Sequence, residues 1–162
     1  ALRPDQALYT ASLQYGPMRS FMRGGKGGGS LPEEPDRVVV LSGIAEPGPF
    51  QAFARARYPE AELVDMPFAD HHRWRAEDLT RIREALDGAA DPLVLTTEKD
   101  AVRLGDLDRR SLAGLPIAVQ PVDLCFPETG EGERLLKQVR SFAEGFGKRA
   151  DGRVLPSPEA KR

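Results

Sequence analysis

The stretch RVVVLSG, at residues 37–43, decides the fold of this chain. Its four central residues are all apolar and mostly β-branched, which is typical of a strand buried on both faces of a sheet. The run LVLT, at residues 93–96, predicts a second strand of the same kind. Because strands of this type belong to parallel sheets that helices cover, the two runs predict an α/β fold.

The remaining elements are predicted by apolar spacing. Residues 62–66 and 116–120 predict two more strands, and apolar residues recur at helical spacing after Pro47 and within residues 78–87. The order of elements predicts a mostly parallel sheet of about four strands with helices on both faces. A last helix is expected to bury Leu135, Leu136, Val139 and Phe142.

The amino-terminal region differs in composition from the rest. Residues 9–15 predict a strand, and GGKGGGS at residues 24–30 predicts a flexible hairpin tip or linker. This tract does not fit a P-loop, because its Lys precedes Gly where Ser or Thr is needed and prolines follow. We therefore expect a β-linker or hairpin segment at residues 1–36, an α/β domain at residues 37–147 and a flexible tail at residues 148–162.

Charge and cysteine content narrow the functional classes. The 162 residues include 23 Lys and Arg against 25 Asp and Glu, a formal net charge of −2. This balance excludes nucleic-acid binding through bulk positive charge. The one cysteine, Cys125, excludes an intrachain disulfide and is expected to be a small buried apolar residue. With no apolar run near the ~20 residues of a membrane span and a start at Ala1, we expect a soluble piece of a longer protein.

Three segments follow directly after predicted strands. They are GIA at residues 43–45, DHH at residues 70–72 and TEKD at residues 97–100. The carboxyl ends of parallel strands meet at one edge of a sheet, where ligands of such folds bind. We therefore expect these segments to form a functional site.

His71 and His72 are the only histidines of the chain. A carboxylate beside an imidazole, as at Asp70, can fix its tautomer and raise its basicity, and an imidazole can act as a general base near neutral pH. The alternative is a polar loop that caps the following helix. A metal site is not expected, because adjacent loop residues rarely converge on one ion.

The neighbouring polar residues each allow two interpretations. Thr97 and Asp100 can cap a helix, or the exposed amides there and Lys99 can bind an anion. Arg73 and Trp74 can bind a phosphate or a sugar face, or the indole can simply pack against the fold.

Taken together, these segments resemble the carboxyl-terminal half of the tetraacyldisaccharide 4′-kinase family. The strings LSGIAEP at residues 41–47, FADHHRW at residues 68–74 and TTEKDAVR at residues 96–103 are similar to motifs of that family. The resemblance extends over about residues 8–143. It implies the fold class given above and a lipid kinase as the parent protein.

The resemblance implies that the parent enzyme uses ATP and Mg²⁺ to phosphorylate the 4′-hydroxyl of tetraacyldisaccharide 1-phosphate in lipid A biosynthesis. It implies that His71 is catalytic, paired with an Asp outside this chain. Substrate-binding or supporting roles are implied for Asp70, His72, Arg73, Trp74, Thr97, Glu98, Lys99 and Asp100.

The resemblance also implies partners and a location. The family's P-loop, Mg²⁺ ligand and membrane helix have no counterpart in this sequence, so the chain is expected to be one lobe, inactive alone, that works with an amino-terminal P-loop lobe. That enzyme would meet its lipid substrate at the cytoplasmic side of the bacterial inner membrane. Two alternatives stay open: a non-catalytic binding module derived from this fold, and a DHH-type phosphoesterase, which would also need Asp-rich metal motifs.

Overall fold

A computed structural model describes residues 6–21 and 31–147 of the chain, with side chains up to residue 144. The predicted Gly-rich tip and the predicted tail from residue 148 lie outside the described residues. The chain divides into two compact units, residues 15–123 and residues 1–14 with 124–162. No helix in the described ranges has the length and apolar character that crossing a membrane requires.

The described residues form seven strands and five helices. In chain order, the strands are β1 (Ser12–Tyr15), β2 (Arg19–Ser20), β3 (Arg37–Ser42), β4 (Glu62–Pro67), β5 (Pro92–Thr97), β6 (Ile117–Gln120) and β7 (Val122–Cys125). The helices are α1 (Gly48–Arg57), α2 (Ala76–Leu86), α3 (Glu98–Leu104), α4 (Arg109–Leu112) and α5 (Glu131–Gly147).

Five strands form the main sheet in the order β2-β6-β5-β3-β4. β3 pairs in parallel with both β4 and β5, and β5 pairs in parallel with β6. β2 pairs antiparallel to β6 at the edge. The predicted α/β class and mostly parallel sheet are therefore confirmed, with five strands where about four were expected. The fifth strand has two residues, which is too short for an alternating pattern to reveal.

Alternate residues of β3 pack against helices on opposite faces of this sheet. Val38 and Val40 pack in one apolar cluster with residues of α1, whereas Val39 and Leu41 pack in a second cluster with residues of α2. All four side chains are fully buried, and burial of each contributes roughly 1.5–3 kcal/mol. The helical members are Phe50 and Ala54 in the first cluster and Leu79, Ile82 and Leu86 in the second. Helices on both faces are thus confirmed.

The predicted burial of the last helix is wrong. On α5, Leu136, Val139 and Phe142 are exposed, and Leu135 is half-buried. Helical spacing of apolar residues reports an amphipathic helix, but it does not report whether another element covers the apolar side.

The predicted burial of Cys125 is also wrong. β1 and β7 form a separate two-stranded sheet, and Cys125 at the end of β7 is half-buried. Its Sγ lies 3.1 Å from Oε1 of Gln14 on β1, so the thiol makes a polar contact. One cysteine in an apolar-polar alternation gives no signal that distinguishes this environment from a core.

The sheet places the three candidate segments at one edge. Ser42 of β3 pairs with Pro67 of β4, and Leu41 pairs with Thr96 of β5. All three strands run in the same direction and end at the same level. The chain therefore leaves β3, β4 and β5 side by side, at the positions where Gly43, the loop before α2 and helix α3 begin.

Candidate functional site

Asp100 connects the loop after β3 with the start of α3. Its Oδ2 accepts hydrogen bonds from the backbone amide of Gly43 at 2.9 Å and from Oγ1 of Thr97 at 2.8 Å. Oγ1 of Thr97 accepts in turn from the amide of Asp100 at 3.2 Å. The carboxylate is fully buried. Thr97 and Asp100 therefore cap the start of α3, as the capping interpretation predicted. Asp100 also has a second partner, the amide of Gly43, in another loop.

Gly43 is the point at which the three segments meet. A Cβ at this position would lie 3.0 Å from Oδ1 of Asp100, 3.4 Å from the carbonyl oxygen of Ala69 and 3.5 Å from Cβ of His72. The first distance is tighter than ordinary packing allows, so only glycine fits here without displacing a neighbour. The three segments are thus in direct contact around one buried glycine.

Lys99 and Asp70 form an ion pair between the second and third segments. Nζ of Lys99 donates to Oδ1 of Asp70 at 2.7 Å, and the amide of His71 donates to the same oxygen at 3.0 Å. The hydrogen bond from Lys99 holds the pKa of the Asp70 carboxyl below its usual range, with His71 contributing. Lys99 therefore has a carboxylate partner within the chain, which weakens the interpretation of Lys99 as an anion ligand.

His71 has an unusual backbone conformation and an exposed side chain. Its φ is +63°, in the left-handed region that side chains with a Cβ rarely adopt, and its side chain is 73% exposed. Nη2 of Arg103 lies 2.8 Å from Nδ1 of His71. A guanidinium can only donate, so Nδ1 accepts and the proton of the neutral ring is on Nε2. That Nε2 lies 3.4 Å from Oδ2 of Asp70.

Arg103 belongs to this site although sequence reasoning assigned it no role. It lies one turn after Asp100 on α3, and its Nη1 is 3.6 Å from Oδ1 of that carboxylate. The spacing Asp-x-x-Arg on a short helix was the available signal, because residues three apart share one helix face. What the spacing could not show is that the same guanidinium reaches His71 on another loop.

His72 serves a different purpose from His71. Its Nε2 lies 2.7 Å from Oδ2 of Asp78, which also accepts a hydrogen bond from the amide of Arg75 at 2.9 Å. The ring packs against Phe68, with centroids 4.5 Å apart. His72 and Asp78 thus stabilise the first turn of α2, which is the capping alternative stated for this loop. Asp78 was not anticipated as a partner of a histidine.

Trp74 and Arg73 differ in exposure. Trp74 is buried and packs edge-on against Phe68, with centroids 4.8 Å apart, in keeping with the packing interpretation. Arg73 is exposed. Both line an open cavity of about 540 Å³. The other lining residues are His71, His72, Arg103, Asp106 and Leu107.

Glu98 lies at the margin of the site. It forms an ion pair with Arg19 of β2, in which the Arg19 side chain is exposed and Glu98 is half-buried. Arg19 is on the strand that pairs with β6 at the sheet edge. Glu98 therefore connects α3 with the amino-terminal part of this unit and has no contact with the two histidines among those described.

Within residues 6–21 and 31–147, no group of three or more His, Cys, Asp or Glu side chains is placed so that it could hold a metal ion. What the site does offer is an exposed imidazole whose Nε2–H can donate, next to a cavity that carries Arg73 and Arg103.

A sequence model of the family described as tetraacyldisaccharide-1-P 4′-kinase matches residues 6–140 of the chain. The chain belongs to this family. The matched stretch includes every residue of the candidate site, and it confirms the resemblance drawn from the motifs. Membership does not favour the phosphoesterase alternative, which was suggested by the DHH string alone.

Known tetraacyldisaccharide 4′-kinases align with this chain over different lengths. The protein of Parabacteroides distasonis is 33% identical over 161 residues, which is 94% of this chain and 40% of that protein. The protein of Anaeromyxobacter dehalogenans is 44% identical over 68 residues, 42% of this chain and 18% of that protein. That of Methylorubrum extorquens is 40% identical over 88 residues, 54% of this chain and 26% of that protein.

The chain therefore spans no more than about two fifths of the length of these relatives. No solved structure is significantly similar to it.

Proposed function

We propose that this chain is one lobe of a lipid kinase and supplies His71 to the transfer of a phosphoryl group from ATP to the 4′-hydroxyl of tetraacyldisaccharide 1-phosphate. Family membership supports the reaction class. The residues that bind ATP and Mg²⁺ would lie in an amino-terminal P-loop lobe of the same protein, and the lipid would be met at the cytoplasmic face of the inner membrane.

The observation that carries this proposal is the way in which His71 is held. Its side chain is 73% exposed, yet both ring nitrogens have defined neighbours, Arg103 at Nδ1 and Asp70 near Nε2. A side chain that only stabilised the fold would gain little from such exposure. An imidazole held in one orientation towards solvent suits a group that must meet a substrate or a second lobe.

The chemistry of phosphoryl transfer fits a residue of this kind. Such enzymes accelerate the reaction mainly by positioning the nucleophile and stabilising charge, with little covalent participation of the protein. With Nδ1 occupied by Arg103, His71 presents Nε2–H. This group can donate a hydrogen bond to a carboxylate of the other lobe, and the pair would orient the attacking sugar hydroxyl.

The remaining site residues would support this arrangement. Asp70 and Lys99 fix the loop that carries His71, Asp100 and Thr97 fix the start of α3, and His72 fixes the start of α2. Arg73, beside the same cavity, is the exposed cation that would meet the negative charge of a phosphorylated substrate. Trp74 shapes the cavity wall, and Glu98 holds β2.

The test uses the full-length protein that contains this chain. In His71→Ala, kcat should fall by a factor of about 10² or more while the KM for ATP stays within about twofold, since ATP is bound elsewhere. The matched control is Arg109→Ala, an exposed residue on α4, which should keep the activity of the unsubstituted protein. Unchanged turnover in His71→Ala would sink the proposed role.

A second measurement concerns the chain by itself. The 162-residue chain should neither phosphorylate the lipid precursor nor bind ATP, and equilibrium dialysis with labelled ATP measures the latter directly. Saturable ATP binding by the chain alone would contradict the assignment of the nucleotide site to another lobe.

A further inference from the structure

Arg103 contacts both Asp100, the most buried acidic residue of the site, and His71, the more exposed of the two histidines. Its Nη1 faces Oδ1 of Asp100 at 3.6 Å, and its Nη2 lies 2.8 Å from Nδ1 of His71. The three residues come from two different segments, so this connection exists only in the folded chain. The other polar contacts described for His71 are with Asp70, its neighbour in the same loop.

We propose that Arg103 is a positioning residue for His71: anchored on the buried carboxylate of Asp100, it fixes the orientation of the imidazole and the nitrogen that carries its proton. The consequence for catalysis rests on the proposed function of His71. The consequence for the ring itself does not, and it can be measured without any kinase reaction.

The anchor is rigid because Asp100 is fixed from several sides. It is fully buried, and its Oδ2 is occupied by Gly43 and Thr97. Its Oδ1 and Nη1 of Arg103 are both buried and have no hydrogen-bond partner among the described residues, so each has the other as its nearest opposite charge. The attraction between two such charges is screened much less than it would be at the surface.

Apart from Arg103, the polar neighbour described for the His71 ring is Asp70, whose Oδ2 lies 3.4 Å from Nε2, beyond the usual length of a hydrogen bond, so Arg103 is the stronger constraint on the ring. The side chain is 73% exposed, and the residue has a positive φ in a loop. A neutral imidazole in water exchanges between two tautomers, and its ring can turn about χ2. Donation from Arg103 to Nδ1 is compatible with only one tautomer, the one with the proton on Nε2.

The competing explanation is that Arg103 only neutralises Asp100. In that case its contact with His71 would be incidental, and loss of the guanidinium would lower stability without changing the imidazole. The two explanations therefore predict different results for the ring nitrogens of His71, whatever happens to the free energy of unfolding.

The first experiment measures the two ring nitrogens of His71 by ¹H–¹⁵N correlation spectroscopy on the 162-residue chain at a pH where the ring is neutral. With only two histidines, His71→Gln assigns the signals by difference. We expect the pattern of a single Nε2–H tautomer in the unsubstituted chain and a shift towards tautomer averaging in Arg103→Gln. Arg109→Gln, an exposed arginine on the next helix, is the control and should leave the signals unchanged.

The variant Arg103→Lys distinguishes the effect of the positive charge of Arg103 from the effect of its two donor nitrogens. A lysine keeps the positive charge beside Asp100, but its single nitrogen cannot serve the carboxylate and His71 at the same time. We expect Arg103→Lys to retain more stability than Arg103→Gln and still to show tautomer averaging. If the signals of His71 are the same in Arg103→Gln as in the unsubstituted chain, the proposal is overturned.

Kinetics of the full-length kinase supply the second test. Arg103→Gln and Arg103→Lys should lower kcat about tenfold or more with the KM for ATP within about twofold, as expected for a misoriented group. If His71→Ala leaves kcat unchanged, the proposed function fails while the tautomer result still stands. If His71→Ala is impaired but both Arg103 variants turn over normally, the positioning role is overturned.

Discussion

Asp100 accepts a hydrogen bond from the backbone amide of Gly43, 57 residues earlier in the chain. This contact joins the loop that leaves β3 to the first turn of α3, at the edge of the sheet where the candidate site lies. The same carboxylate oxygen also accepts from Thr97, so one buried group satisfies donors from two segments. The contact therefore links the two segments, and it also fixes the carboxylate that pairs with Arg103.

Removing this carboxylate should destabilise the chain strongly. Asp100→Ala leaves the buried amide of Gly43 without an acceptor and Arg103 without its counter-charge, and we expect a loss of about 2–4 kcal/mol in the free energy of unfolding. Urea denaturation measures it. Asp106→Ala, an exposed acidic residue shortly after α3, is the control and should change stability by no more than ~0.5 kcal/mol. Equal losses in the two variants would contradict the importance of the Gly43 contact.

Adding a single methyl group at Gly43 should also be costly. The new Cβ would approach Oδ1 of Asp100 to 3.0 Å and the carbonyl oxygen of Ala69 to 3.4 Å, so Gly43→Ala should cost roughly 1–3 kcal/mol through displaced neighbours. Gly48→Ala is the matched control, because a Cβ there meets nothing within 4 Å. Thermal unfolding of both variants compares them. If Gly43→Ala is as stable as Gly48→Ala, the three segments can move apart to accommodate the methyl group at little cost, and the prediction is wrong.

Two substitutions of His71 should differ in stability for a backbone reason. Both His71→Gly and His71→Ala lose the ring and its contact with Arg103, but only Ala keeps a Cβ at φ +63°. We expect His71→Gly to be more stable than His71→Ala by about 1 kcal/mol, since glycine adopts this conformation without strain. Denaturant titration of the two variants measures the difference. Ala equal to or more stable than Gly would show that the loop relaxes to negative φ once the ring is removed.

Stability should depend on pH through Asp70. Its pKa is lowered in the folded chain, chiefly by the hydrogen bond from Lys99, so the folded state binds this proton less readily than the unfolded state. The resulting stabilisation is present above the unfolded pKa of about 3.9 and is lost as the pH falls through the lowered folded value. In Lys99→Met, the pKa of Asp70 should rise towards its ordinary value, as followed by carboxyl ¹³C shifts. The pKa of Asp36 is lowered by the amides of Ala90 and Asp91, and it should not move.

Apolar runs predicted the fold well because they report burial directly. Val38 to Leu41 are fully buried, and the strand they form pairs with neighbours on both sides, as a run without polar alternation predicts. The same reasoning failed for α5, because Leu136 and Phe142 show the spacing of a buried face without the burial. The spacing of apolar residues describes a single helix, whereas their burial depends on whether another element packs against it.

The position of the candidate site was predictable from topology, but its internal contacts were not. Parallel strands that end together bring Gly43, Asp70 and Thr97 to one edge, whatever their side chains do. The two histidines have different partners because their rings point in different directions, and the local sequence does not predict those directions. His72 turns inward to Asp78 and His71 outward to Arg103. Asp78 lies 6 residues from His72 and Arg103 lies 32 residues from His71, and neither spacing shows which way a loop side chain turns.

The short strand β2 has a consequence for how the chain is made. Arg19 of β2 pairs with Val119 of β6, so two strands that lie together in the sheet are 100 positions apart in the chain. At a synthesis rate of roughly 5–20 residues per second, β2 waits on the order of 5–20 s after leaving the ribosome before its partner is made. The sheet can therefore close at this edge only after the parallel strands have been synthesised, and β2 is among the last of its strands to dock.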